Sequence, residues 1–257
     1  MTPLSTHGDV LNDPQCAFAS SENMGHLYGI GVGPGDPDLI TLRAVNVLAS
    51  VDIILAAASS RNEYSLALSI ARPHIPEKTQ IIELAFPMTR NQKALLQAWE
   101  HNAQRTAAFL GQGKTVAFLT LGDPLIYSTF GYLMRTLEKF APNIPVTVVP
   151  GISSFQAAAA ATRTILCEGG ENLLLQAGIN SGKQLAAELR SADNTVLLKA
   201  YKNFPAIRQA FAEVGKSDEA LFVSRLGHSD EMVLPLENAP ENPNYLSLVL
   251  STKKRQE

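Results

Sequence analysis

From His26 onward the chain alternates between two patterns. Short apolar runs of strand length, HLYGIGVG, VDIILAA, TQIIELAF, KTVAFLTL and IPVTVVPG, are separated by segments of helical spacing such as LTLRAVNVLAS and NQKALLQAWEHNAQRTAAFLGQG. Strands alternating with helices predict a mainly parallel sheet covered on both faces. The polar cluster TRTILCEGGEN interrupts this rhythm, and a second series follows: NLLLQAG, NTVLLKAY, EALFVS, EMVLPL and YLSLVLST. Two helices, around Gln184 to Arg190 and Phe204 to Val214, separate those strands, and the last strands follow one another directly. That ending predicts a mixed or antiparallel edge. The expected fold class is therefore α/β, with a parallel first domain over residues 24–162 and a mixed second domain over 163–257. Residues 1–23 are polar and turn-rich, without a periodic apolar face, and are expected to be a mobile extension.

Composition narrows the function classes. The 257 residues are 46% hydrophobic and 18% charged, enough for one large or two small cores. The formal net charge is −3, and no run of Lys or Arg stands out apart from the tail STKKRQE, so no nucleic-acid partner is expected. No stretch approaches the roughly 18 apolar residues of a spanning helix, and the first residues lack a basic start and an apolar core. A cytoplasmic protein without a membrane partner is the expectation. Cys16 and Cys167 stand far apart with no CxxC, and His7, His26, His74, His101 and His228 form no ligand pair at helical spacing, so no metal site is expected.

The stretch GVGPGDPDL, Gly31 to Leu39, is glycine-rich and directly follows a strand. A dinucleotide fingerprint needs a third glycine and a helix N-terminus aimed at the pyrophosphate. Asp36 stands at the third position, and Pro34, Asp36 and Pro37 delay the helix until Thr41, a suitable N-cap. Asp36 can instead bond to the backbone of its own turn. The Gly113-Lys114-Thr115 sequence imitates a Walker loop, but Ala108 replaces its first glycine. Two further loops, TLGDPLIYST (120 to 129) and VVPGISSFQAAAAA (148 to 161), follow later strands in the same manner. Three such loops at one sheet edge make a composite pocket, although each alone could be a turn or, at Ser153, a helix cap.

In that order and near those spacings, GVGPGDPDLITLRA, LTLGDPLIYST and VPGISSFQAAAA resemble the tetrapyrrole methylases, S-adenosyl-L-methionine-dependent enzymes of the cobalamin and sirohaem pathways. Within the family, GDPLIYSTFGYL, LLKAYKNF, VSRLGHSDEMV and the closing YLSLVL look most like the precorrin-2 or cobalt-factor II C(20)-methyltransferases. The resemblance implies two α/β domains, a cofactor cleft between them, a tetrapyrrole substrate and a homodimer. It places Pro34 beside the cofactor from the first loop, Gly122, Asp123, Ile126 and Tyr127 from the second, and Ser153 and Ser154 from the third. Lys199 and Ala200 reach the cleft from a strand end of the second domain. A lysine beside a sulfonium is unfavourable, so Lys199 is expected to face an acidic substrate. Basic candidates for substrate carboxylates are Arg61, Arg90, Lys93, Arg163, Lys199, Lys202 and Arg225.

One departure from the family stands out. Sirohaem-pathway members carry an aspartate at the end of the second strand, where this chain has Ala56 and Ala57. That absence fits methylation of an already nucleophilic meso carbon, and no catalytic acid or base is assigned. Two rivals stay open: another methylase of the same fold, such as one acting at a different corrin carbon or a diphthine synthase, and a nucleotide-binding or oxidoreductase module.

Overall fold

A computed structural model describes residues 24–58, 63–87, 89 and 91–254. The expected extension over 1–23, together with His7, Cys16, Arg61 and Arg90, lies outside them. The first half builds β1 (His26–Gly31), α1 (Leu42–Leu48), β2 (Ile53–Ala58), α2 (Glu63–Ala71), β3 (Gln80–Ala85), α3 (Gln92–Gly111), β4 (Thr115–Thr120), α4 (Phe130–Phe140) and β5 (Val146–Val149). Its five strands pair in the order β3-β2-β4-β1-β5, every pair parallel.

Strand periodicity decides which residues meet which helices. Ile53, Leu55, Val116 and Phe118 face α3 and α4, where Ala103, Ala107, Phe130 and Leu133 complete one buried cluster. Their sequence neighbours Ile54, Ala117 and Leu119 face the other way, onto Ala44 and Leu48 of α1 and Ala67 and Ile70 of α2. Both faces are covered, so the strands read as continuous apolar runs rather than alternating ones.

The second half contributes α5 (Ser154–Thr162), β6 (Leu173–Ala177), α6 (Gly182–Ser191), β7 (Asn194–Leu198), α7 (Phe204–Glu213), β8 (Ala220–Ser224), β9 (Met232–Pro235) and β10 (Ser247–Ser251). The sheet order is β6-β7-β10-β8-β9; β6 and β7 run parallel and the other pairs antiparallel. Helices α6 and α7 cover one face through Leu185, Leu189, Ile207 and Phe211. The other face takes α5, whose Phe155 and Ala158 sit among Val196, Val223, Leu248 and Leu250. Helix α5 leaves β5 of the first sheet and packs on the second, tying the two halves together at the end of β5.

At the opposite edge of the first sheet, Asp52 joins the starts of β2 and β4. Its Oδ2 accepts from both the N–H and the hydroxyl of Thr115, each at 2.8 Å. These bonds, the backbone one foremost, hold the Asp52 carboxyl below its ordinary value. A depressed carboxyl stabilises the fold above its unfolded titration range, and that contribution disappears as pH falls through the lowered folded value. Asp52→Asn should therefore lower the melting temperature at pH 7 and lose that penalty below about pH 4. The side chain is exposed, so the effect should stay under about 1 kcal/mol; thermal scans across pH 2–8 measure it, and a penalty constant with pH would refute the linkage.

Candidate functional site

The strand order places β4, β1 and β5 side by side, so the loops that follow them converge at one edge of the sheet. Their glycines meet backbone to backbone. A Cβ on Gly31 would lie 2.5 Å from Gly122 O, and one on Gly151 would lie 2.2 Å from the same oxygen. Gly122 adopts a left-handed φ of 69° while its N–H donates to Gly33 O at 2.7 Å. The glycine-rich stretch is thus one side of a junction of three chain segments.

Each loop is also held by its own side chains. Asp36 Oδ1 accepts from Asp38 N at 2.9 Å and caps the short turn Pro37–Leu39, and Thr41 then accepts from Ala44 N at 3.2 Å to open α1. That is the turn-bonding role the sequence allows for Asp36, and the start of α1 is displaced from the glycines as expected. Asp123 bridges two loops, with Oδ1 accepting from Leu125 N at 2.8 Å and Oδ2 from Gly151 N at 3.1 Å. Tyr127, at φ 50°, reaches across to the second sheet and donates its hydroxyl to Leu175 O at 3.1 Å. It both lines the cleft and straps it. A non-glycine residue held left-handed is costly and often marks a functional constraint; Lys199 (φ 55°) and Arg225 (φ 52°), at the ends of β7 and β8, share the conformation.

Between the two sheets lies a cavity of about 480 Å³. Pro34, Gly122, Asp123 and Ile126 line it from the first two loops, together with Tyr127. Ser153 and Ser154 enter from the third loop and Lys199 from β7. Eight of the nine residues singled out from the sequence are thereby gathered in one place. The ninth, Ala200, is fully buried in the core of the second half, and its N–H donates to Ser247 O at 3.1 Å. It joins the buried cluster that holds Phe204 and Leu197, because the left-handed turn at Lys199 (φ 55°) follows the end of β7 and carries the chain away from the cavity.

The cavity wall carries buried hydroxyls without hydrogen-bond partners. Ser153 caps α5, with its N–H donating to Gln156 Oε1 at 2.9 Å, while its own Oγ remains unpartnered. Thr120 Oγ1 at the end of β4 and Ser247 Oγ at the start of β10 are likewise unpartnered, and both line the cavity. Ser224 Oγ, unpartnered too, belongs to the residue paired with Ser247 across the sheet. Buried polar groups are almost always satisfied, and a ligand with several polar atoms suits such a wall. Sequence reasoning missed Thr120 and Ser247, since a lone hydroxyl at a strand end carries no motif.

The other sequence candidates disperse. Arg225 pairs with Asp230 at 2.6 Å and keeps that carboxyl below its ordinary value. Lys202 lies 5.7 Å from the Tyr201 ring centroid, Lys93 is exposed near the start of α3, and Arg163 ends α5 at φ 54°. At the end of β2, Ala56 is buried and Ala57 lines the cavity. A methyl, not a carboxylate, meets the ligand space there. Among the described residues no group of three or more His, Cys, Asp or Glu could hold a metal, and no helix is long and apolar enough to cross a membrane.

Residues 26–240 match the family model described as Tetrapyrrole (Corrin/Porphyrin) Methylases. The cobalt-precorrin-2 C(20)-methyltransferase of Salmonella typhimurium is 35% identical over 200 residues, 78% of this chain and 83% of that protein. The precorrin-2 C(20)-methyltransferase of a Sinorhizobium species is 30% identical over 243 residues, 90% and 96% of the two chains. In structure, the uroporphyrin-III C-methyltransferase of Thermus thermophilus, complexed with S-adenosylhomocysteine, superposes with a TM-score of 0.62 at 21% identity, covering 88% and 97% of the two chains. That likeness establishes the shared fold.

Proposed function

The chain belongs to the tetrapyrrole (corrin/porphyrin) methylases, and from that premise we propose that it transfers a methyl group from S-adenosyl-L-methionine to the C(20) meso carbon of precorrin-2 or cobalt-factor II in cobalamin biosynthesis. The observation that carries this reading is the cavity itself: three loops from adjacent strands close on the second sheet around unpartnered hydroxyls of Thr120, Ser153 and Ser247. These groups fit a cofactor with amino, carboxylate and ribose functions, which offer both donors and acceptors. When bound, the cofactor supplies an electrophilic methyl on a positively charged sulfur.

Pro34, the Gly122 backbone, Ile126 and Tyr127 would hold that cofactor together with the hydroxyls of Ser153, Ser154 and Ser247, all of which line the cavity. Lys199 serves the acidic substrate. The chain's work is to position two partners and exclude water, which in favourable cases lowers a barrier by about 7–11 kcal/mol. Charge disperses as the methyl leaves sulfur, so the reaction asks little of an acid or base. Ala57 in the cavity wall agrees with that. The meso proton released after transfer leaves to solvent. The reading is completed by a homodimeric, cytoplasmic enzyme without nucleic-acid or membrane partners; the net charge of −3 supports the lack of a nucleic-acid partner.

Calorimetry tests the reading. S-adenosylhomocysteine should bind the wild type while NAD and ATP do not, because the first loop presents no helix N-terminus to a phosphate. Pro34→Leu should weaken S-adenosylhomocysteine by about tenfold, the scale of one displaced apolar contact, and leave the nucleotides unbound. Tight wild-type binding of NAD or ATP would overturn the assignment. Assays with labelled methyl donor on metal-free precorrin-2 and on cobalt-factor II, run side by side, decide the substrate; turnover of neither would point to another corrin carbon or to diphthine.

A further inference from the structure

The glycine loop after β1 is gripped by the second half of the chain as well as at the junction of the three loops. The turn that joins β8 to β9, Arg225 to Glu231, lies against Gly35 and Asp36. A Cβ on Gly35 would lie 2.8 Å from Leu226 O and 3.6 Å from His228 Nε2, and one on Gly227 would lie 2.9 Å from Asp36 N. Neither glycine can carry a side chain without parting the two segments. The turn itself is firmly built. Arg225 N donates to Leu246 O at 2.8 Å, His228 N to Arg225 O at 3.0 Å, Gly227 N to Glu231 Oε2 at 2.8 Å and Glu231 N to His228 O at 3.1 Å, while the Arg225 guanidinium pairs with Asp230. Beneath the turn Pro34 and Gly35 are buried, although both stand in a loop, and Leu226 lines the same cavity as Pro34.

We propose that His228 is a positioning residue for methyl transfer: its ring, set against Gly35 by the turn between β8 and β9, holds Pro34 in place in the cavity wall. The inference rests on the methyl-transfer reading above, which gives Pro34 to the cofactor. A loop with Gly33 at φ 88° and Gly35 two residues on has little stiffness of its own, so its geometry must be imposed by what packs on it. The junction with Gly122 and Gly151 does so on one side and the turn on the other. Pro34 then transmits the constraint. Its ring includes the backbone nitrogen and has no free side-chain torsion, so any shift of the neighbouring Gly35 moves the ring itself. His228 Nε2 is buried and has no hydrogen-bond partner among the described residues; the hold is therefore one of contact and shape rather than of a bond. No local pattern signals it, because Gly35 and His228 stand in different halves of the chain and meet only where the two sheets close.

The experiment uses the full chain and calorimetry with S-adenosylhomocysteine. His228→Ala should weaken binding by about tenfold, the same loss as Pro34→Leu, while the KM for the tetrapyrrole substrate stays at its wild-type value and the melting temperature falls by no more than about 3 °C. Because His228 acts through Pro34, the double variant His228→Ala with Pro34→Leu should lose about tenfold in all, not about a hundredfold. His228→Phe keeps a ring and removes the unpaired nitrogen, so it should restore wild-type affinity. Wild-type affinity in His228→Ala, beside a wild type that binds, would overturn the positioning role and leave the methyltransferase reading standing. Additive losses in the double variant would overturn it as well, by separating His228 from Pro34. So would a His228→Phe protein as weak as His228→Ala, which would assign the effect to the nitrogen instead of the ring. A wild type that does not bind S-adenosylhomocysteine would remove the functional reading and the positioning role together.

Discussion

Gly151→Ala is expected to abolish measurable binding of S-adenosylhomocysteine and to lower the melting temperature by roughly 5–10 °C, the equivalent of about 2–3 kcal/mol in a chain of this size. The added Cβ would stand 2.2 Å from Gly122 O and 2.7 Å from Gly31 Cα, both backbone atoms of neighbouring loops. Neither can rotate away as a flexible side chain would, so the third loop must move off the other two. A displacement of about 1 Å in a positioning site costs on the order of a hundredfold. Gly111→Ala is the control: at the end of α3 its Cβ would meet nothing within 4 Å, and alanine is the better helix former. Calorimetry and thermal scans on both variants make the comparison. Wild-type cofactor affinity in Gly151→Ala would mean that the junction plays no part in holding the cofactor.

Asp123→Ala should come next in severity. It removes the acceptor of two backbone N–H groups, Leu125 N and Gly151 N. Hydrogen bonds to a charged acceptor are worth about 1.5–3 kcal/mol each where water is excluded; Asp123 is half-buried, so a combined loss of about 2–4 kcal/mol is expected, together with a large loss of cofactor affinity. Asp123→Asn keeps one carbonyl oxygen and should recover about half of each effect. Stability and cofactor affinity falling together across the two variants is the signature of a carboxylate that organises loops. An Asp123→Asn enzyme with wild-type melting temperature and cofactor affinity but a kcat lowered a thousandfold would instead assign the carboxylate to the chemical step.

Local pattern alone settles much of this protein. The ten strands among the described residues fall on apolar runs readable in the sequence, and in the parallel first sheet burial on both faces leaves unbroken stretches such as IILAA and VAFLTL. The antiparallel edge of the second sheet follows from strands that succeed one another without helices, and the residues of the three loops carry their own turn and cap chemistry at Asp36, Thr41 and Ser153. Pairing decides the rest. The adjacency β4-β1-β5 within the order β3-β2-β4-β1-β5 puts the ends of these three strands together, and it depends on contacts between residues such as Gly31 and Thr120. No local propensity encodes such distant partners. The same holds for α5, which continues from the first sheet in sequence but buries Phe155 and Ala158 on the second. It holds also for Ala200, one residue beyond the cavity-lining Lys199, whose side chain the turn at the end of β7 sends into the core. Thr120, Ser247, Trp99 and Tyr132 are unremarkable where they stand in the sequence; their positions around one cavity arise when two sheets and two helices close on it, and that closure is a property of the packed molecule.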